Sequence, residues 1–245
     1  MVACNNTEMS RQREEVNLTI SAAASLQDAI ATVGREYENR FPKVKLVFNF
    51  GSSGSLQHQI EQGAPVDVFI SAATKQMNAL RDKNLILEET HRNLLQNQIV
   101  VIAGKEKNKI AELQELTTDK IDKIALGDPE SVPVGFYSKE ILDYFNLYQK
   151  LESKFVFGKD VRQVLSYVET GNVDAGFVYG TDAKLCKNCR IIFVAPEDSH
   201  SPIAYPIAVL NSSKNIEFAR KFVEFLSTDT AKSVFEKYGF IVNEK

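Results

Sequence analysis

Apolar residues along this chain follow two spacings. Short apolar runs at 18–24, 46–50, 68–70, 99–102 and 124–126 have the length of buried strands. Between them, apolar positions recur every three to four residues, as on one face of a helix. After Ser25 the residues Leu26, Ala29, Ile30, Val33 and Tyr37 keep that spacing. Ser25 is the expected N-cap of this helix, and Asp28 gives an approximate capping box. Further on, the pattern predicts a helix over 56–62, a turn at Gly63-Ala-Pro65 and a helix opening at 75–80. Helices are expected over 136–145, from Asp160-Val161, over 216–226 and over 230–238. Strands are expected at 154–157, 174–179, 191–195 and 205–210.

Strand–helix alternation predicts an α/β protein of mostly parallel sheets flanked by helices. The strands are too many for one sheet, so two lobes are expected. Residues 17–98 plus 206–245 form the first and 99–205 the second, with the terminal helices packed on the first. Residues 1–16 are expected to be a flexible tether, polar from Asn5 to Glu15.

Charge and cysteines narrow the class. The 245 residues carry a formal net charge of −3, which argues against a nucleic-acid surface. No apolar run reaches the roughly 18 residues that a bilayer span needs. Met1-Val2-Ala3-Cys4 looks like the tail of a bacterial lipoprotein signal, which would place the protein outside the cytoplasm, anchored through Cys4. Cys186 and Cys189 supply only half a zinc site. A local disulfide and two free loop thiols both fit. The charged stretch Lys105, Glu106, Lys107 and Lys109 reads as solvated surface.

Catalytic patterns are weak. The three histidines, His58, His91 and His200, lie in no nucleophile–base motif. Gly51-Ser-Ser-Gly-Ser55 is neither a nucleophile elbow nor a P-loop. Binding is the better reading. Ser25, Ser53 and the Ala72 N–H follow strands and precede helices, among small residues. A helix start leaves N–H groups unpaired and carries partial positive charge, so converging starts make an anion site. The second lobe offers matching junctions at Val134 and Val161, through main-chain N–H groups, and a strand-end hydroxyl at Tyr179.

Motifs along nearly the whole chain then carry a resemblance. They are Ala22-Ala-Ala-Ser25-Leu, Gly51-Ser-Ser53, Gly63-Ala-Pro-Val-Asp67-Val-Phe-Ile-Ser-Ala72, Gly127-Asp-Pro-Glu-Ser-Val-Pro-Val134-Gly, Asp160-Val161-Arg162, Val178-Tyr179-Gly-Thr-Asp182, Pro196-Glu-Asp-Ser-His200 and Lys237-Tyr-Gly-Phe240. In these the chain resembles the molybdate-binding proteins of bacterial ABC-type transporters. Archaeal relatives that hold the metal with carboxylates match less well, and the Cys186/Cys189 pair lies outside the family pattern. The resemblance implies a two-lobed periplasmic-binding-protein fold of the second type, with the ligand cleft between lobes. It implies molybdate, and tungstate with it, held by Ser25, Ser53, Ala72, Val134, Val161 and Tyr179. No side chain would ligate the metal directly. It implies a monomer that delivers its ligand to a membrane permease, with no enzymatic activity and no cofactor. The rivals are a binding protein for sulfate, phosphate or a small carboxylate (Arg162 facing the cleft), a serine-dependent α/β hydrolase using Ser53, and a sensor domain.

Overall fold

The computed structural model describes residues 15–105 and 112–242. Cys4, most of the expected tether, and Glu106, Lys107 and Lys109 lie outside them. The chain enters on β1 (Val16–Ala23), α1 (Gln27–Arg40), β2 (Val44–Gly51), α2 (Ser53–Glu61), β3 (Val68–Ile70), α3 (Thr74–Asp82) and β4 (Arg92–Gln96). It crosses at residues 97–98 into β5 (Ile99–Gly104), β6 (Ile124–Gly127), α4 (Pro133–Tyr144), α5 (Tyr148–Leu151), β7 (Phe155–Gly158), α6 (Val161–Glu169), β8 (Ala175–Tyr179), α7 (Gly180–Ala183) and β9 (Cys189–Val194). It returns through β10 (Ala204–Val209), α8 (Ile216–Phe225), α9 (Asp229–Tyr238) and β11 (Ile241–Val242).

Two sheets result, ordered β11-β4-β10-β3-β1-β2 and β7-β6-β8-β5-β9. The parallel pairing expected from strand–helix alternation holds within β2-β1-β3 and within β7-β6-β8. The strands next to the crossings run the other way: β10 is antiparallel to β3 and β4, and β5 to β8 and β9. Each sheet is therefore mixed. A helical crossover is what lets successive strands pair parallel, whereas a strand arriving from the other lobe can enter the sheet in either direction. The carboxyl ends of the parallel strands gather at one edge of each sheet, and those edges face each other. Open α/β sheets bind ligands beyond such ends.

Several helix starts differ from the expectation. Ser25 is not a cap: residues 24–26 form a 3-10 turn, and α1 begins at Gln27 without a side-chain cap. Helix α2 starts at Ser53, ahead of Leu56, because the Ser52 hydroxyl accepts the Ser55 N–H at 3.2 Å. Helix α4 starts at Pro133, where a proline costs no hydrogen bond. Strands β4 and β11 were not expected at all. β4 reads Arg-Asn-Leu-Leu-Gln and buries only Leu94 and Leu95.

One apolar core runs through both sheets. Tyr37 of α1 is fully buried and packs edge-on against Phe222 and Phe225, which pins the terminal helices to the first sheet. A smaller cluster, including Leu56, Ile60, Phe69, Met77 and Leu80, seats α2 and α3 on β3. Cys186 and Cys189 are disulfide-bonded, closing the turn before β9. Among the described residues no helix is long and apolar enough to cross a membrane.

Candidate functional site

Where the two strand-end edges meet, the chain forms a cavity of about 10 Å³. That is room for a single compact guest and too little for a sugar or an amino acid. Residues 23–25, 51–53 and 72 line it from the first lobe, and 132–134, 160–161 and 179 from the second. All six residues singled out from the sequence therefore meet here, and all six are buried.

Each is held by the turn that follows a strand. Ser25 sits in the 3-10 turn after β1, and its Oγ lies 3.0 Å from the Tyr205 hydroxyl. Ser53 opens α2, and its Oγ accepts the Ala72 N–H at 2.9 Å. The Ala72 N–H, expected to point directly at a ligand, is thus spent on Ser53. Its effect is to occupy a Ser53 lone pair and leave that hydroxyl's proton free to donate. Val134 and Val161 occupy the first turns of α4 and α6, where N–H groups have no partner within the helix. The Asp160 carboxylate, though at the cavity wall, is turned to accept the Gln163 N–H at 2.9 Å and so caps α6.

Tyr179 ends β8. Its hydroxyl is buried beside the Tyr205 hydroxyl but makes no hydrogen bond of good geometry among the described residues. Burial, then the neighbouring Tyr205, push its pKa well above the ordinary phenol value, so it is a neutral O–H donor. An unpaired buried hydroxyl costs about 1–3 kcal/mol, which a ligand accepting from it would recover.

Arg162 does not serve the cavity as a free cation. Its guanidinium donates to Asp28 Oδ2 at 2.7 Å and to the Ala24 carbonyl at 3.3 Å, both on the first lobe. Its Nε also lies 3.1 Å from Asp182 Oδ1, at ion-pair distance but outside hydrogen-bond geometry. Burial, opposed by Arg162, raises the Asp182 pKa to about 7. No imidazole lines the cavity. The His58 ring is mostly exposed and near Glu61, and His200 Nδ1 pairs with the Ser201 carbonyl. Ser53 therefore has a main-chain N–H beside it rather than a general base, which removes the geometry a serine hydrolase needs. Among the described residues no cluster of His, Cys, Asp and Glu could hold a metal ion.

Sequence reasoning missed Tyr205 and Asn97, which stand behind Ser25, and Gly54, whose N–H donates to the Ser131 carbonyl across the cleft at 3.0 Å. Gly54 alone had a visible signal, as the glycine inside the small-residue run.

Two α/β lobes closing on a small buried cavity define a bilobal solute-binding protein, and the chain belongs to the bacterial extracellular solute-binding protein family, matched over residues 18–241. It is 46% identical over 242 residues to a Bacillus subtilis protein named "Putative ABC transporter substrate-binding lipoprotein YvgL", covering 98% of this chain and 92% of that one. It is 38% identical to the molybdate-binding protein ModA of Haemophilus influenzae, covering 91% of this chain and 89% of that one. The solved periplasmic molybdate-binding protein of Azotobacter vinelandii superposes with a TM-score of 0.83 over 93% of this chain and 100% of that one. At 21% identity, that last likeness speaks for the fold alone.

Proposed function

We propose that this protein binds molybdate, and tungstate with it, outside the cytoplasm and delivers it to the permease of an ABC transporter. One observation carries the reading: the buried inter-lobe cavity presents hydroxyls and helix-start N–H groups, and the one nearby guanidinium is already committed to carboxylates. Ser25, Ser53 and Tyr179 donate hydroxyl protons. Val134 and Val161 donate main-chain N–H groups, and Ala72 acts through Ser53. Molybdate is a tetrahedral dianion whose oxygens all accept. Hydrogen phosphate carries a proton that would find no acceptor here, at a cost of about 1–3 kcal/mol. Sulfate has shorter bonds and would leave several charge-assisted hydrogen bonds long and bent.

Donors come from both lobes, so the anion favours the closed form, and the permease can tell loaded from empty protein by shape. In this reading 17–98 with 206–245 moves as one body against 99–205, as a monomer tethered by lipidated Cys4. Relatives named for molybdate binding and a relative named a lipoprotein support it. Titration calorimetry with molybdate, tungstate, sulfate and phosphate tests it. Tight, matched binding of the first two and weak binding of the others is expected. Preference for sulfate or phosphate, or no heat from molybdate, overturns it.

A further inference from the structure

Behind Ser25 stands a buried polar chain whose hydrogen-bond direction can be worked out. Asn97 sits at the first crossing between the lobes. Its Oδ1 accepts the Gln98 N–H at 3.0 Å, which fixes which end of the amide is oxygen. The Nδ2 end must then donate, and it faces two oxygens: Thr181 Oγ1 at 2.9 Å, just after β8 of the second sheet, and the Tyr205 hydroxyl at 3.2 Å, on β10 of the first sheet. Tyr205 is fully buried, and burial raises its pKa far above the ordinary phenol value, so it keeps its proton. Its oxygen receives an N–H from Asn97, and its own proton is then available to Ser25 Oγ at 3.0 Å, which is in hydrogen-bond geometry, whereas the neighbouring Tyr179 hydroxyl is not. Ser25 then accepts from Tyr205 and has its own proton left for the cavity. Ser53 is treated the same way by the Ala72 N–H.

We propose that Asn97 and Tyr205 are specificity-determining positioning residues that fix the hydroxyl of Ser25 as a donor toward the bound anion. Without them a serine hydroxyl is ambivalent: it can turn its lone pairs inward and welcome a protonated oxyanion. With them Ser25, like Ser53, turns a proton toward the cavity, and each link polarises the next. The relay thus excludes hydrogen phosphate and its kind by orientation rather than by size. It rests on the reading of the cavity as an oxyanion site.

Two measurements test it. Neutron diffraction from crystals grown in heavy water, without added anion, reads the direction itself. The Tyr205 deuteron should lie toward Ser25 Oγ and the Ser25 deuteron toward the cavity. A Ser25 deuteron lying on Tyr205 overturns the proposal. Calorimetry at about pH 8 then compares molybdate with hydrogen phosphate in the wild type, Tyr205→Phe and Asn97→Asp. Both substitutions remove or reverse the imposed direction, so the affinity gap between the two anions should narrow by about tenfold. Equal weakening of both anions, with the gap unchanged, marks a merely structural role and overturns it. Should the wild type ignore molybdate altogether, the functional reading fails, and the neutron result still decides the direction of the chain.

Discussion

The buried Tyr179 phenol, which lines the cavity and makes no hydrogen bond of good geometry among the described residues, is the plainest mark of a ligand in this molecule. Tyr179→Phe removes that hydroxyl and leaves the ring in place. Molybdate affinity is expected to fall about ten- to a hundredfold in calorimetry. The melting temperature of the anion-free protein should stay level or rise, because an orphaned polar group is lost. A lower anion-free melting temperature would contradict the idea that the hydroxyl waits for an acceptor. Asp182 makes a second prediction at this scale. Its pKa is raised to about 7, chiefly by burial, above an unfolded value of about 3.9. Between those values the folded state holds a proton that the unfolded chain has released. This residue's contribution therefore makes stability fall as pH rises from about 4 to 7, with no further change above. Scanning calorimetry of Asp182→Asn beside the wild type should show the wild type losing more stability across that window. Parallel curves would refute it. Ser25, Ser53 and Ala72 were legible because a strand, a small residue and a helix follow one another in the sequence, Val134 and Val161 because they open helices, and Tyr179 through the family resemblance rather than any local pattern. Tyr205 was not, since its bond to Ser25 joins positions far apart in the chain, and nothing local marks a tyrosine in an apolar strand as a positioning group. Ser25 itself was legible as a polar junction residue but misjudged as a cap. Its hydroxyl had a tertiary partner that outcompeted the helix N-terminus.

Helices and strands carry the next set of consequences. The start of α2 approaches the loop before α4 so closely that a Cβ added at Gly54 would sit 2.4 Å from the Ser131 carbonyl oxygen. Both partners are backbone, so neither can swing aside. Gly54→Ala should keep the lobes from meeting here and weaken anion binding at least about tenfold. The folded content by circular dichroism should be unchanged, because alanine suits a helix better than glycine. Retained affinity would show that the cleft closes by another path. The element pattern was largely visible in sequence wherever apolar runs were long. β4 escaped because its strand character comes from pairing with β10 and β11 rather than from its own composition. The antiparallel strands escaped for a related reason: direction is set by where the chain comes from, which periodicity does not record.

At the scale of the whole molecule, the lobes touch on both sides of the cavity. Among these contacts are the Gly54–Ser131 hydrogen bond and Arg162 of α6 reaching Asp28 of α1. Asp28 is 44% exposed, so solvent screens the pair and its worth is about 1 kcal/mol or less. Asp28→Asn should accordingly raise the molybdate dissociation rate by no more than about fivefold in stopped-flow chase, and less so in high salt. A salt-independent change, or none, would show that the pair does not hold the lobes together. Two lobes joined by two crossings were expected from the strand count. The contacts that hold them closed were not legible, since they join loops and helix ends with no pattern in common.

Both lobes line the cavity, so an occupant touching both walls gives up about half of its contacts when the lobes part. Unloading is then mechanical rather than diffusive. A membrane transporter receiving this cargo has to grip both halves and prise them apart. The tighter the receptor, the greater the work its motor must perform with each stroke.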